Sequence, residues 1–450
     1  MNILVINGSP KGNYSITLQT ALWLQLRFPE HTFEFITAGQ RVKAWEKDFS
    51  PALEAIRRSD VLLFCYPVYT FIAPSQLHRF VELMKASGED FTSKVATQLT
   101  TSKHFYDITA HRFIEDNCAD MGIAFIDGLS ADMDDLLHAK GQREAEQWFR
   151  FVSWNIGQRI FKAPSAVPTT STHALASQPS QEAGNTSDKR VVIVSDCADD
   201  DVALRSMINR FRAVLPCASD EVNIHTFPFS GGCISCFNCS TNGQCFYKDG
   251  FSTLLRDNIH RHDAIVYAFR IQDHSMGYRF KMYDDRQFCN GHRTVTMGTP
   301  FGYLIDGGYS HEENRRLILE ARAQVGGNVL SGVATNESDT DAAIDRLAAT
   351  LTWQLAEGYT QPQNFLGIGG MKIFRDLIYL MRGMMKEDHR FFRSHGQYDF
   401  PQKQRATSLK MYLVGWLMGN KKLKSKMGNK MNEGMIAPYR KVLAKEGREQ

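Results

Sequence analysis

Four cysteines lie close together in the middle of the chain, in the segment CISCFNCSTNGQC (233–245). The spacing is C-x2-C-x2-C-x5-C, and the four residues are Cys233, Cys236, Cys239 and Cys245. Three thiolates at successive three-residue steps can surround one compact metal centre, and the fourth follows a turn that contains Asn242 and Gly243. The cluster therefore predicts a metal site in a loop.

Three interpretations of this motif stay open. Similar opening steps occur in ferredoxin-type ligation of a 4Fe-4S cluster, which the spacing favours. Zinc is the second interpretation, although zinc sites usually place two C-x2-C pairs well apart. Free thiols in a loop are the third. The remaining cysteines lie in or beside apolar segments and are expected to be buried structural residues, namely Cys65, Cys118, Cys197, Cys217 and Cys289.

A second segment that could bind a ligand is NGSPKGNYSIT (7–17), where a first strand would turn into a first helix. Its turn offers backbone N–H groups, short hydroxyls and a helix N-terminus to a dianionic phosphate. It matches neither G-x-G-x-x-G nor the Walker pattern, which disfavours a dinucleotide or ATP. A simple helix cap is the structural alternative. The residues predicted to bind phosphate are Ser9, Lys11, Asn13, Ser15, Ile16 and Thr17.

These residues resemble the phosphate loop of the NAD(P)H-dependent FMN reductase family, and YPVYTFIAPSQLHRFVE (66–82) is similar to that family's second flavin segment. The resemblance implies bound FMN, with residues 69–71 along the isoalloxazine ring. The family's third flavin loop would fall at LTTSKHFYD (99–107), which lacks the glycine-rich turn common there. The further cofactor-binding residues that the resemblance implies are Pro67, Val68, Tyr69, Thr70, Phe71, Thr101, Ser102 and Lys103, with His104 and Tyr106 as catalytic candidates.

The strands and helices that must position these residues are predicted to occur in the same order in both halves of the chain. Short apolar runs alternate with helix-period segments, as in a parallel sheet covered by helices. The prediction is an α/β protein with two tandem flavodoxin-like, doubly wound, five-stranded parallel sheets and a C-terminal helical extension. The strands expected in the second half are 190–196, 221–227, 264–269, 293–298 and 328–335. The domains expected are 1–161 (FMN-binding), 162–189 (linker), 190–360 (cysteine loop and degenerate flavin site) and 361–450 (basic, helical).

The two halves are predicted to be complementary. The second half has SDCADDDV (195–202) where a phosphate loop would be, and its four aspartates would repel a phosphate. The first half has no cysteine in the stretch 38–50, which corresponds to the cysteine loop. Iron-sulfur flavoproteins, a branch of the same reductase family, carry their compact cysteine motif in this loop. In their dimers, the cluster of one subunit faces the flavin of the other, and this chain resembles such a dimer fused into one polypeptide.

The C-terminal region is basic, with 18 Lys and Arg against 7 Asp and Glu in residues 361–450. It could form a helical surface layer, dock an acidic redox partner such as ferredoxin, or contact anionic lipid headgroups. An alternative places Met381, Met384, Met385, Phe391 and Phe392 over the flavin. The acidic remainder of the chain disfavours nucleic-acid binding. Neither a signal-peptide pattern nor a long apolar run is seen, which predicts a cytoplasmic protein without a transmembrane segment.

Together these features predict an oxidoreductase that contains FMN and a 4Fe-4S cluster, with NAD(P)H as co-substrate and a small-molecule or quinone-like acceptor. A non-catalytic electron carrier that docks redox partners, and a zinc-stabilised flavodoxin-like scaffold, are the alternatives.

Overall fold

A computed structural model of the chain describes residues 1–162, 174–419, 436, 437 and 440. These residues form two compact units, Met1–Phe391 and Phe392–Gln450, which are described separately.

The first half of the first unit is a parallel sheet covered by helices. Its strand order is β2-β1-β3-β4-β5, with a short sixth strand that also pairs with β4. The strands are β1 (Asn2–Asn7), β2 (Thr32–Ile36), β3 (Val61–Pro67), β4 (Val95–Ser102), β5 (Ala124–Phe125) and β6 (Leu129–Asp132). The helices are α1 (Ile16–Arg27), α2 (Ala38–Trp45), α3 (Ser50–Arg58), α4 (Ser75–Ala86), α5 (Asp107–Asp120) and α6 (Ala139–Gln158). The central strand β3 is apolar and buried at all but its last position, because helices cover both faces of the sheet.

The second half repeats this architecture. Its strand order is β11-β10-β9-β7-β8, which is the order of the first sheet counted from its opposite edge. The strands are β7 (Ser187–Ser195), β8 (Cys217–Asn223), β9 (Ala264–Arg270), β10 (Pro300–Asp306) and β11 (Val329–Thr335). The helices are α7 (Val202–Val214), α8 (Asn238–Asn242), α9 (Phe251–Thr253), a π-helix (Leu254–Ile259), α10 (Gly277–Arg286), α11 (Glu313–Gly326) and α12 (Thr340–Glu357). The predicted fold class is therefore confirmed.

Two predicted strands differ from the structure. The strand expected at 221–227 lies earlier, at Cys217–Asn223, and Ile224–Thr226 form a 3-10 helix. The strand expected at 293–298 was wrong. RTVTMG (293–298) contains no strand, and β10 is formed instead by the next segment, PFGYLID. Every residue of β10 is buried, whereas Val295 and Met297 are exposed. Burial in the middle of the sheet, rather than the local β-propensity of 293–298, decided which segment became the strand. Of the predicted linker, residues 163–173 lie outside the described residues, and 174–186 contain neither helix nor strand.

The two halves contact each other reciprocally through α4 and α10. The backbone N–H of Ser75, at the start of α4, donates to Asp285 Oδ2 at 2.7 Å. The backbone N–H of Tyr278, near the start of α10, donates to Glu82 Oε1 at 2.6 Å. A first-turn amide has no hydrogen-bond partner within its own helix. Here a carboxylate of each helix accepts a hydrogen bond from such an amide of the other helix. Reciprocal contacts of this kind are typical of a two-fold symmetric dimer.

A buried histidine also joins the halves. The His274 side chain is 7% exposed, and its Nδ1 and Nε2 lie 2.9 Å from Glu312 Oε1 and 3.0 Å from Asp120 Oδ2. Lys85 Nζ lies 2.6 Å from the same Asp120 oxygen. Burial alone would lower the pKa of His274, but the two carboxylates outweigh it and raise this pKa to about 9. An imidazolium therefore bridges one carboxylate from each half.

We expect the stability of the protein to decrease in mildly alkaline solution. Because the pKa of His274 is raised in the folded state, its contribution is fully present below about pH 6.5 and is lost as the pH rises through about 9. The free energy of unfolding should fall by on the order of 3 kcal/mol across this window. Urea unfolding at a series of pH values measures it. His274→Gln should flatten the dependence, whereas an unchanged slope in that variant would contradict the assignment.

The chain continues from the second half into α13 (Phe365–Leu380), α14 (Lys386–Ser394) and, in the second unit, α15 (Arg405–Gly419). Two glycines allow α13 to pack closely: a Cβ at Gly367 would lie 2.6 Å from the Gln324 carbonyl, and one at Gly370 would lie 2.7 Å from a Val325 methyl. Exposed apolar side chains of α15 are Leu409, Met411, Tyr412, Leu413, Val414 and Trp416. Within the described part of the chain, no helix combines the length and apolar character needed to cross a membrane.

Candidate functional site

One cavity at the carboxyl edge of the first sheet is lined by both halves. Three loops of the first half, after β1, β3 and β4, supply most of the predicted cofactor residues: Ser9, Lys11, Ser15, Ile16, Thr17, Pro67, Val68, Tyr69, Thr70, Thr101, Ser102 and Lys103. The loop between β8 and α9 supplies all four clustered cysteines, Cys233, Cys236, Cys239 and Cys245. The structure therefore brings the two predicted sites together.

The loop after β1 is held by its own side chains. Asn7 Nδ2 donates to the carbonyl of Gly12 at 3.0 Å, and Asn7 Oδ1 accepts from the backbone N–H of Ser9 at 3.1 Å. Ser15 Oγ accepts from the backbone N–H of Leu18 at 3.4 Å and caps α1. The helix-cap function considered from sequence is thus present, and it is compatible with a ligand at the same loop.

The loop after β1 and the first turn of α1 form a cradle that fits a phosphate group. Ile16 and Thr17 are the first residues of α1, and first-turn amides have no partner within the helix. Lys11 adds a cation, and Thr17 Oγ1 lies 2.6 Å from Thr101 Oγ1 at the end of β4. In the described part of the chain, no Asp or Glu side chain lines the cavity. An anionic group would therefore meet amides, hydroxyls and a cation.

The loop after β3 forms a tight turn beside the cavity. Tyr69 and Ile72 exchange two backbone hydrogen bonds of 2.7 and 3.0 Å. Between them, Thr70 and Phe71 have φ of 43° and 70°, which is uncommon for residues other than glycine. The corresponding turn of the second half, residues 272–275, has the same pair of hydrogen bonds. A strained turn of this kind persists only where its surroundings hold it.

The second half holds this turn with a buried ion pair. Lys281 and Asp285 lie on α10, are fully buried and contact each other. Asp285 Oδ1 accepts from Thr70 Oγ1 at 2.6 Å, and Lys281 Nζ donates to the Tyr69 carbonyl at 3.3 Å. The conformation of a predicted flavin loop in one half therefore depends on charged residues of the other half.

The cysteine loop is anchored at both sides. Lys43 Nζ, from the first half, donates to the Ser230 carbonyl at 2.7 Å. The buried Arg286 donates to the Gly231 carbonyl at 2.8 Å and forms an ion pair with Asp249 at 2.8 Å. These contacts fix the loop over the cavity from two directions.

Two thiols of this loop are buried deeply enough to shift their pKa. Burial raises the pKa of Cys233 and Cys239, which keeps both thiols protonated at neutral pH unless a positive group offsets the cost of ionisation. A bound metal centre supplies such a charge. In the described residues, however, no group of three or more His, Cys, Asp or Glu side chains is arranged to hold a single metal ion. This arrangement supports neither the zinc nor the 4Fe-4S interpretation, so both stay predictions.

Sequence reasoning missed an aromatic wall on the same cavity. Its rings follow one another with centroids 6.3 Å apart (Tyr69 and Phe288), 5.6 Å (Phe288 and His292), 5.1 Å (His292 and Phe374) and 4.4 Å (Phe374 and Phe105). We call these five residues the aromatic belt. Other lining residues that were not predicted include Arg286, Cys289 and Leu377. Of the methionines considered from sequence, Met381 lines the cavity.

Four predicted residues lie outside the cavity walls: Asn13, Phe71, His104 and Tyr106. Phe71 is buried and packs against the Phe105 and Tyr106 rings at 4.9 and 4.6 Å between centroids. Tyr106 donates to the Leu366 carbonyl at 2.7 Å, and burial raises its pKa to about 12. His104 is half exposed and pairs with Asp107 at 2.9 Å.

Comparison with known proteins gives one family match. Residues 1–111 match the family model of NADPH-dependent FMN reductase. No curated protein matches the chain. Among solved structures, the chain is similar to an FMN-dependent NADH-azoreductase from Bacillus anthracis str. Ames Ancestor in complex with FMN, at 14% identity over 34% of this chain and 98% of that chain, with a TM-score of 0.26. An NAD(P)H:quinone oxidoreductase from Methanothermobacter marburgensis is 14% identical over 37% and 98% of the respective chains, with a TM-score of 0.28.

Proposed function

We propose that the chain is an FMN-dependent, NAD(P)H-linked oxidoreductase that binds a 4Fe-4S cluster through Cys233, Cys236, Cys239 and Cys245. One observation carries the proposal: the phosphate loop and ring loops of the first half line the same cavity as the four cysteines of the second half. The family match over residues 1–111 supports the flavin part. The chain would then combine, in one polypeptide, the two sites that a symmetric dimer places on separate subunits.

We assign the FMN to residues 1–161 and the cluster to residues 190–360. The second half supports this division because carboxylates fill the place of its phosphate loop. Asp201 contacts the guanidinium of Arg270, whose Nε lies 2.6 Å from the buried Asp306. This ion-paired group occupies the carboxyl edge of the second sheet and leaves a phosphate without a cradle there.

Bound FMN would supply the exchange between two-electron and one-electron chemistry. The residues of the chain would hold and enclose it. Ser15, Thr17 and the first-turn amides of α1 would bind the phosphate, and Tyr69 would lie along the ring. Phe374 and Leu377 would close the cavity from α13 and exclude water. This apolar wall favours a quinone-like acceptor over a strongly charged one.

An anaerobic absorption spectrum, combined with flavin, iron, sulfide and zinc analysis on the same sample, tests the proposal. We expect about one FMN with about four iron and four sulfide per chain, and NAD(P)H oxidation when a quinone is added. Yellow protein that stays free of iron after reconstitution would contradict the cluster, and iron-containing protein that binds no flavin would contradict the flavin site. Loading with both cofactors, without NAD(P)H oxidation, would favour an electron carrier.

A further inference from the structure

We propose that His292 exchanges a proton with the oxygen of a planar aromatic substrate in the cavity, and that Asp388 positions its ring. The inference rests on the proposed function, which supplies the electrons. It adds to that function the residue that transfers the proton to a quinone-like acceptor.

His292 and Asp388 form a dyad at the edge of the cavity. Asp388 Oδ2 lies 3.0 Å from His292 Nδ1 and accepts the backbone N–H of the same residue at 3.1 Å. The Asp388 side chain is fully buried on α14, and Arg293 Nε lies 4.0 Å from its other oxygen. A carboxylate only accepts hydrogen bonds, so it holds the proton on Nδ1 and leaves Nε2 for another partner.

The second ring nitrogen of His292 is left for a ligand. His292 is a lining residue, and its Nε2 has no hydrogen-bond partner among the described residues of the chain. Phe288 and Phe374 flank the imidazole, with centroids 5.6 and 5.1 Å away. A polar group therefore lies between two aromatic rings, which is an arrangement that fixes the orientation of a ligand.

These surroundings define the class of substrate. The aromatic belt suits a flat ring, since aromatic pairs gain from offset or edge contacts. Leu377 and Met381 extend the apolar surface. A single imidazole nitrogen would pair with a single oxygen on that ring. The geometry thus fits an aromatic carbonyl or phenol, such as a quinone and its hydroquinone.

The proposed step balances. Reduction of a quinone to a hydroquinone takes up two electrons and two protons. The flavin of the proposed function would supply both electrons and one proton as a hydride. His292, in its imidazolium form with a proton on each ring nitrogen, would donate the Nε2 proton to the carbonyl oxygen, which becomes a hydroxyl. Solvent then reprotonates the imidazole. In the oxidative direction the same nitrogen takes the proton from a phenolic hydroxyl.

A chromophoric phenol tests the proton transfer without turnover. 4-Nitrophenol is added to the purified protein at a pH where the free dye is mostly protonated, and the difference spectrum is recorded. We expect a phenolate band with the wild type and its loss with His292→Gln. His225→Gln is the matched control, because His225 also pairs with an aspartate through Nδ1 but lies outside the cavity. A phenolate band that persists in His292→Gln would overturn the proposal.

Rates with two acceptors test the catalytic role. Pre-reduced protein is mixed with 1,4-benzoquinone, which takes up protons, or with ferricyanide, which does not. His292→Gln should slow the quinone reaction by about 100-fold or more and leave the ferricyanide rate within about twofold. Asp388→Asn should show a smaller loss with the same selectivity and a weaker phenolate band, whereas Asp196→Asn should show neither.

The outcomes separate this inference from the proposed function. Equal slowing with both acceptors would indicate a merely structural role for the dyad. Rapid ferricyanide reduction by the wild type without quinone reduction would overturn the inference and keep the redox function. If the purified protein binds no flavin, the proposed function fails, but the dye spectrum still decides whether His292 accepts a proton.

Discussion

Ser15→Asp is expected to weaken FMN binding by about 100-fold or more without lowering the stability of the flavin-free protein. Ser15 lies in the phosphate loop and caps α1. Aspartate is an equally good helix cap and interacts favourably with the helix N-terminus, so the cap is kept. A carboxylate in the cradle would, however, repel a dianionic phosphate. The substitution thus separates the two functions of Ser15.

Titration of flavin-free protein with FMN, followed by the quenching of flavin fluorescence, measures this effect. Ser15→Asn is the matched control, because asparagine has nearly the same shape, also caps helices and carries no charge. Riboflavin, which lacks the phosphate, should bind the wild type and Ser15→Asp equally. If Ser15→Asp and Ser15→Asn bound FMN alike, Ser15 would serve only as a cap and the phosphate would lie elsewhere.

The features that could be predicted from sequence are those that depend on residues adjacent in the chain. The segment NGSPKGNYSIT was predicted to connect a first strand to a first helix. In the structure it lies between the buried β1 and the start of α1, as predicted. The doubly wound fold follows from buried apolar strands that alternate with amphipathic helices. The fourth strand of the second sheet was predicted at 293–298 because that segment has good local β-propensity. The segment FGYLI forms the strand instead, because it is buried between β9 and β11.

The features that could not be predicted arise from contacts between distant segments. Asp285 holds Thr70 across 215 positions of the sequence, and Asp388 holds His292 across 96. No local sequence pattern indicates that the two residues of either pair are in contact. Each residue alone resembles an ordinary polar residue of a helix or loop. Phe374 belongs to a region that composition marks as a basic tail, and only packing of α13 against α11 brings it to the cavity.

Cys239→Ser is expected to remove nearly all iron and acid-labile sulfide from the purified protein. Cys239 is the third residue of the motif and lines the cavity, and a serine hydroxyl is a far weaker ligand for iron than a thiolate. Two controls come from the same half. Cys197→Ser alters a buried thiol outside the cavity, and Cys289→Ser alters a thiol within it that lies outside the motif. Both should keep their iron.

FMN retained by Cys239→Ser would show that the halves bind their groups independently, because the phosphate and ring loops follow strands of the first sheet only. If iron is lost from Cys289→Ser as well, the ligand set extends beyond the motif. Unchanged iron in Cys239→Ser would contradict the cluster assignment. Loss of iron and FMN together would mean that the cysteine loop also supports the flavin site. One contact already joins the two: the Lys11 ammonium lies 5.2 Å from the centroid of the Phe237 ring. Phe237 lies between the second and third cysteines of the motif.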